Sequence, residues 1–221
     1  MTDRCFLDRL SAGDRAVLEE LLVVREYAHG EIVISHLDED RDVFFVLDGL
    51  VRATLYSRHG SEVGYRDVGP GDVVGELAAI DGAPRSATVE ALEPARLGRL
   101  SAAAFRKLVE TRPGLNAILL EHLTAQIRRL TERVFEFSTL RVRDRLIREL
   151  LRLAEATSVH EGRAEIRPAP THFELATRIS SHREVVSREM SAMAKAGLVE
   201  KRQGALIILS VTELSAAQAS Q

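Results

Sequence analysis

Leu120, Leu123, Ile127, Leu130, Val134 and Phe137 step along the chain by 3, 4, 3, 4 and 3 residues. No other pattern in the 221 residues restricts the fold as strongly. Apolar side chains at that spacing form a stripe only two positions wide on an α-helix. Arg128, Arg129, Glu132 and Arg133 surround the stripe. A seam that narrow suits a helix paired with its own copy better than one docked on a broad core. Docking on its own domain remains the alternative at this point. The pattern predicts a dimerisation helix over 113–137, opened by Pro113, and a homodimer.

The segments flanking this helix differ in character. Residues 1 to about 27 read as a helical lead-in, with Phe6, Leu7, Leu10, Val17, Leu18, Leu21 and Leu22 near helical spacing. From Glu31 to Leu100, short runs rich in strand formers (EIVIS, DVFFVL, LVRATLYS, EVGYRDV, ATVEAL, ARLGRL) follow one another. Turn pairs at His29-Gly30, Asp48-Gly49, His59-Gly60, Gly69-Pro70-Gly71 and Asp81-Gly82 separate them. That alternation predicts a small antiparallel barrel or roll. A helix over Ser101–Glu110 leads to the long one. The polar pair Ser138-Thr139 interrupts the seam and reads as a hinge. A helix from Leu140 to about Ala156 follows, then a polar loop (HEGRAEIRPAP), two short helices and a strand pair. The fold class is α+β in three parts: 1–112, 113–137 and 138–221.

GELAAIDGAPRSATVE, residues 75–90, sits inside the strand-rich region and suggests a small anionic ligand. Gly75 allows close backbone approach, and a short helical turn after it offers free N–H groups to an anion. Arg85 can donate two parallel hydrogen bonds to a phosphodiester, and Ser86 adds a hydroxyl. Glu76 would repel a phosphate but would accept from a sugar hydroxyl beside one, and a cyclic nucleotide carries both groups. A Glu76–Arg85 ion pair across the turn is the alternative on residue types alone.

The last part carries a second motif. Thr171-x-x-Glu174 and Ser181-x-x-Glu184 are capping-box patterns, each ahead of a short helix. Two such helices joined by a few residues predict a helix-turn-helix, whose second helix enters the DNA major groove. On that helix Val186, Met190 and Met193 should face the core. Glu184, Ser187, Arg188 and Ser191 should face outward, with Arg183 on the flank. Arginine suits guanine O6 and N7, and glutamate accepts from cytosine N4. Thr171, Ser181 and His182 join the DNA-facing set. Lys201 and Arg202, beside Gln203 and Gly204, suit phosphate contacts from a hairpin tip. A solvated face with an ordinary Glu184–Arg188 pair is the bland alternative.

These motifs together resemble the cyclic-AMP receptor protein family of bacterial transcription regulators. Gly-Glu-Leu, a spacer and Arg-Ser-Ala match that family's phosphate-binding cassette, and Arg183-Glu184-x-x-x-Arg188 matches its DNA-reading helix. The resemblance implies a β-roll, a dimerisation helix and a winged helix-turn-helix. It implies that Glu76 holds the ribose 2′-hydroxyl. Arg85 and Ser86 would hold the cyclic phosphate with the backbone N–H groups of Gly75 and Ala87, and Leu77 completes the cassette. Members that bind cyclic AMP carry a Thr-Ser pair on the dimer helix that reaches the adenine. Leu130-Thr131 stands there in this chain; Leu130 cannot bond the adenine amine, while Thr131 keeps a hydroxyl. Cyclic AMP is the expected effector and cyclic GMP the alternative. Double-stranded DNA, a second copy of the chain and RNA polymerase are the implied partners, and a palindromic TGTGA-like operator the implied target.

Composition narrows the field further. The chain is 45% hydrophobic and 29% charged, without an apolar run near the ~20 residues of a membrane helix. The N-terminus MTDRCFLDRL lacks a signal-peptide core, and Cys5 is the only cysteine, so a cytoplasmic protein without a disulfide is expected. From Ser138 on there are 13 Lys+Arg against 10 Asp+Glu, whereas the preceding residues carry 17 against 23. The cationic end is the one with the DNA motif. One cysteine cannot hold an iron–sulfur cluster, and the seven histidines show no axial-ligand spacing for haem. A 2-oxoglutarate sensor clamped by Arg85 would find Glu76 a poor neighbour. No nucleophile–base pair, metal set or phosphate-transfer loop accompanies Glu76, so no enzyme and no metal is expected. A cyclic-nucleotide module serving a kinase or channel would not need the helix-turn-helix.

Overall fold

The computed structural model describes residues 5–56, 62–155, 157, 159–160 and 162–219. The His59-Gly60 turn and Glu161 of the polar loop lie outside the described residues. The chain divides into two compact units, Met1–Arg129 and Leu130–Gln221.

The first unit opens with α1 (Phe6–Arg9), α2 (Ala12–Glu20) and β1 (Val23–Tyr27). Here the helical lead-in expected to residue 27 is corrected. Helix stops at Glu20, and Val23–Tyr27 pairs antiparallel with a later strand, Val23 opposite Arg99 and Tyr27 opposite Ala95. The β-branched Val23-Val24 prefers that pairing to a further helical turn.

Then come β2 (Ile32–Ile34), β3 (Val43–Asp48), β4 (Val51–Tyr56), β5 (Glu62–Val68), β6 (Val73–Val74), α3 (Glu76–Asp81), β7 (Thr88–Ala91) and β8 (Ala95–Leu100). They form two four-stranded antiparallel sheets, ordered β1-β8-β3-β6 and β2-β7-β4-β5. The roll predicted from the glycine-punctuated runs is the fold adopted, with β6 as a short addition.

β3 explains how the roll is closed on both faces. Its residues alternate between two cores, as period-two geometry requires. Phe44 and Val46 pack inside the roll with Ile34, Val51, Val89 and Leu97. Val43 and Phe45 pack outward on Phe6, Leu18 and Phe105. That second core also takes in α4 (Ala102–Thr111), capped by the Ser101 hydroxyl on the Ala104 amide, and the first turns of α5 (Pro113–Thr139).

The second unit begins within α5. The helix continues through Ser138 and Thr139, where the sequence suggested a break. Their hydroxyls bond back to the carbonyls of Val134 and Phe135 at 2.8 and 2.7 Å, so both polar groups are satisfied within the helix. The break falls at Leu140-Arg141, ahead of α6 (Val142–Glu155). The polar loop expected after α6 holds two strands, β9 (Val159–His160) and β10 (Arg163–Ile166). After them come α7 (His172–Arg178), α8 (Arg183–Lys195), β11 (Val199–Arg202), β12 (Ala205–Ile208) and α9 (Val211–Ala219). The expected strand pair, β11 and β12, is therefore half of a sheet ordered β11-β12-β10-β9. Leu146, Ile147, Leu150, Leu175, Val186, Met193 and Ile208 fill its core.

Phe45 is fully buried between helices and roll. Phe45→Ala should lower unfolding free energy by about 3–5 kcal/mol in urea titration; a loss below about 1 kcal/mol would show that this core repacks around the gap.

Candidate functional site

The cassette is built around the backbone of Gly75. Its φ of 86° lies in the left-handed region, and it caps α3 without a side chain. A Cβ there would lie 2.8 Å from Arg85 Nη1 and 2.8 Å from the Asp42 carbonyl. Only glycine lets these groups approach.

Arg85 turns inward, with its side chain 2% exposed. Nη1 donates to the Gly75 carbonyl at 3.2 Å; Nη2 donates to the Asp42 carbonyl at 2.9 Å and to Asp40 Oδ1 at 2.6 Å. Its Nε–H is buried without a hydrogen-bond partner. Ser86 is exposed, Ala87 is half-buried, and Leu77 points outward at 42% exposure.

Glu76 does not pair with Arg85. Its carboxylate is buried and accepts from Gln126 Nε2 on α5 at 2.9 Å. The same amide nitrogen lies 2.7 Å from His122 Nε2, so a neutral imidazole with its proton on Nδ1 accepts the second N–H. His122 is itself buried, edge-on to Phe6 at 5.6 Å. Burial lowers the His122 pKa, and the Arg66 and Arg129 charges push the same way against Glu76 and Asp72. Burial likewise lowers the Arg66 pKa, with Glu76 and Asp72 opposing and Arg129 adding to the fall. Arg66 donates to the Val73 carbonyl at 3.3 Å.

In the second unit the helix-turn-helix is fully formed. Thr171 and Glu174 make the reciprocal capping box that starts α7. The second box is corrected: α8 starts one residue later than the pattern implied. His182 is its N-cap without a side-chain bond, and Ser181 donates its backbone N–H to the Ala176 carbonyl instead. Val186, Met190 and Met193 are buried as their spacing requires. Arg183, Glu184, Arg188 and Ser191 are exposed and Ser187 half-exposed, and the five line one shallow depression. Lys201 and Arg202 are exposed on β11 at the mouth of a two-residue hairpin. Gln203 and Gly204 turn it with φ of 48° and 76°, the type I′ pattern.

Along α5 the seam residues lie open. Leu120, Ile127, Leu130 and Val134 are 58–65% exposed and Phe137 39%, with Thr131 beside them also exposed. Leu123 departs from the rest, packing half-buried against the core of the first unit.

Sequence reasoning missed the groups that hold these side chains. Asp40 and Asp42 lie in an acid-rich run, Asp38-Glu39-Asp40-Arg41-Asp42, which was the only available signal. Gln126 had none. Nor did a lattice in the second unit, where Glu149, 1% exposed, binds Arg133 at 3.0 Å, Arg178 at 3.2 Å and Arg152 at 3.4 Å. Glu136 beside it is buried and holds Arg148 and Arg152. Among the described residues no group of three or more His, Cys, Asp or Glu could hold a metal, and no helix is long and apolar enough to cross a membrane.

Known proteins match both units. Residues 24–112 fit the model of the cyclic nucleotide-binding domain, and residues 144–217 that of the Crp-like helix-turn-helix domain. The chain is 24% identical over 205 residues to a CRP-like cAMP-activated global transcriptional regulator of Mycobacterium tuberculosis, covering 92% of this chain and 91% of that protein. It is 29% identical over 169 residues to the transcriptional regulator SdrP of Thermus thermophilus, covering 76% and 80%. The solved structure of the c-di-GMP responsive global regulator CLP of Xanthomonas campestris shares the fold, with a TM-score of 0.78 at 21% identity over 90% of this chain and 99% of that one.

The His122 environment sets a pH response. A folded-state pKa below the ordinary 6.5 means that the unfolded chain binds the proton more readily. Stability should therefore fall as pH drops below 6.5, until the folded-state pKa is passed. His172 is lowered too, by burial and by Lys201 and Arg183, and adds in the same direction. Urea unfolding between about pH 7.5 and 5.5 should show a smaller fall in His122→Gln than in wild type; identical slopes would mean that His122 ionises as freely as in the unfolded chain.

Proposed function

Starting from a chain that belongs to the Crp/Fnr-type family of transcription regulators, we propose a homodimeric regulator whose DNA binding is gated by a cyclic nucleotide. The observation that carries the effector reading is Arg85: a buried guanidinium, bound to the Gly75 carbonyl, that keeps one buried N–H without an acceptor. A cyclic phosphate supplies that acceptor. Ser86 and the backbone N–H groups of Gly75 and Ala87 would complete its cradle, with Leu77 closing the cassette. Glu76 would take the ribose 2′-hydroxyl, as a buried carboxylate already placed to accept hydrogen bonds.

In this reading residues 1–112 are the sensor, 113–137 the dimerisation helix and 138–221 the DNA-binding part. The exposed stripe of Leu120, Ile127, Leu130, Val134 and Phe137, joined by Leu123, meets its copy in the dimer. Arg183, Glu184, Ser187 and Arg188 read base edges, while Ser181, His182, Lys201 and Arg202 lie along the phosphates, with Thr171 at the start of α7. Two-fold symmetry calls for a palindromic operator of TGTGA-like half-sites one helical turn, ~34 Å, apart. RNA polymerase is the further partner and the cytoplasm the compartment. Gating requires that the nucleotide bind the DNA-competent dimer better than the other form.

Cyclic AMP is the first candidate effector. Cyclic GMP is the second reading, because Leu130 stands where members that bind cyclic AMP carry a hydroxyl for the adenine amine.

Titration calorimetry with cyclic AMP and with cyclic GMP should give binding that Arg85→Ala abolishes; binding that survives in Arg85→Ala would place the phosphate elsewhere. In gel shifts on single-base operator variants, Arg183→Ala should cost about 1–3 kcal/mol at one base position and relax specificity there. A loss equal across all sequences would make Arg183 a phosphate contact.

A further inference from the structure

Gln126 meets two partners with one nitrogen. Its Nε2 lies 2.9 Å from Glu76 Oε1 and 2.7 Å from His122 Nε2, and a primary amide has two N–H groups to give. The carboxylate fixes which end of the amide points inward, since a carbonyl oxygen there would meet it lone pair to lone pair. The amide in turn fixes the imidazole, whose Nε2 accepts only while it carries no proton. Resting on the nucleotide reading above, we propose that His122 is a positioning residue for the effector. Through Gln126 it holds the ribose-binding carboxylate of Glu76 only while its own ring is neutral.

A proton on His122 turns Nε2 from an acceptor into a donor. Two N–H groups then point at each other across 2.7 Å. Turning the amide by half a rotation brings its carbonyl oxygen to the imidazolium but sets that same oxygen against Glu76. An imidazolium and a carboxylate cannot share this amide either way round. Glu76 is buried, so water does not replace the donor it loses. It must turn towards another donor, the imidazolium included, or take up a proton itself. Either change weakens it as the acceptor for the ribose hydroxyl.

The surroundings give the response its sense. Burial is the largest influence holding the His122 ring neutral, helped by Arg66 on β5 and Arg129 on α5 and opposed by Glu76 on α3 and Asp72 ahead of β6. Phe6 on α1 packs edge-on at 5.6 Å and adds no charge. A histidine that was only a neighbour of the site would gain a proton when an anionic nucleotide arrived. Through Gln126 the sign reverses. The bound nucleotide needs the neutral ring, so binding drives a proton off wherever His122 is partly ionised.

The test is titration calorimetry of wild type, His122→Gln, His122→Leu and Arg85→Ala with cyclic AMP and cyclic GMP at pH 7.5 and 5.5. Circular dichroism first establishes that each is folded at both, and two buffers of different ionisation heat count the protons exchanged. Wild-type affinity should fall about three- to tenfold from pH 7.5 to 5.5, with net proton release at the lower pH. Glutamine keeps an acceptor that does not titrate, so His122→Gln should show neither the fall nor the release. His122→Leu leaves an amide N–H unpaired and should bind about three- to tenfold more weakly than His122→Gln at pH 7.5. Arg85→Ala should lose binding. The same pH dependence in wild type and His122→Gln, proton uptake by wild type, or equal binding by the two His122 variants overturns the role of His122. With Arg85→Ala inactive, each of these leaves the nucleotide reading standing. Absence of binding in every protein, or binding indifferent to Arg85, overturns both.

Discussion

The cassette depends on one glycine and one arginine occupying almost the same space. Because Gly75 has no Cβ, the Arg85 guanidinium can lie against its carbonyl while Asp42, the residue just ahead of β3, closes in from the other side. That contact joins the α3 turn to β3, and β3 is the strand whose alternate residues fill both cores of the first unit. A buried cation is tolerated there because carbonyl oxygens and a carboxylate surround it. The roll thus ties a buried guanidinium, carried on the segment between α3 and β7, into its framework.

Much of this was legible from residue order. The heptad steps predicted the long helix, and the glycine pairs between β-branched runs predicted the roll. Val186, Met190 and Met193 predicted the inner face of α8. These signals work because each arises within one element, where periodicity and turn chemistry act on neighbours.

What escaped the sequence was set by partners far away in the chain. Val23–Tyr27 is a strand because β8 offers it an edge, about 70 residues later. Ser138 and Thr139 need not end the helix, since each hydroxyl finds an acceptor in the carbonyl four residues back. The second capping box failed by one residue because the turn before α8 left Ser181 outside the helix. Glu76 found Gln126 rather than Arg85, across 50 residues, and no spacing rule could have matched the two.

The buried Glu149 has a consequence for mechanics. One carboxylate gathers arginines from α5, α6 and α7, and Arg133 reaches past it to the Arg178 carbonyl at 2.5 Å. A charge with so little solvent cannot drift away from its cations by small degrees, because each lost contact exposes an unbalanced carboxylate. The last turns of α5 and the first helix of the helix-turn-helix are consequently geared like cogs. Rotation of one is resisted from the first displacement, because it strains ion pairs that share one buried carboxylate.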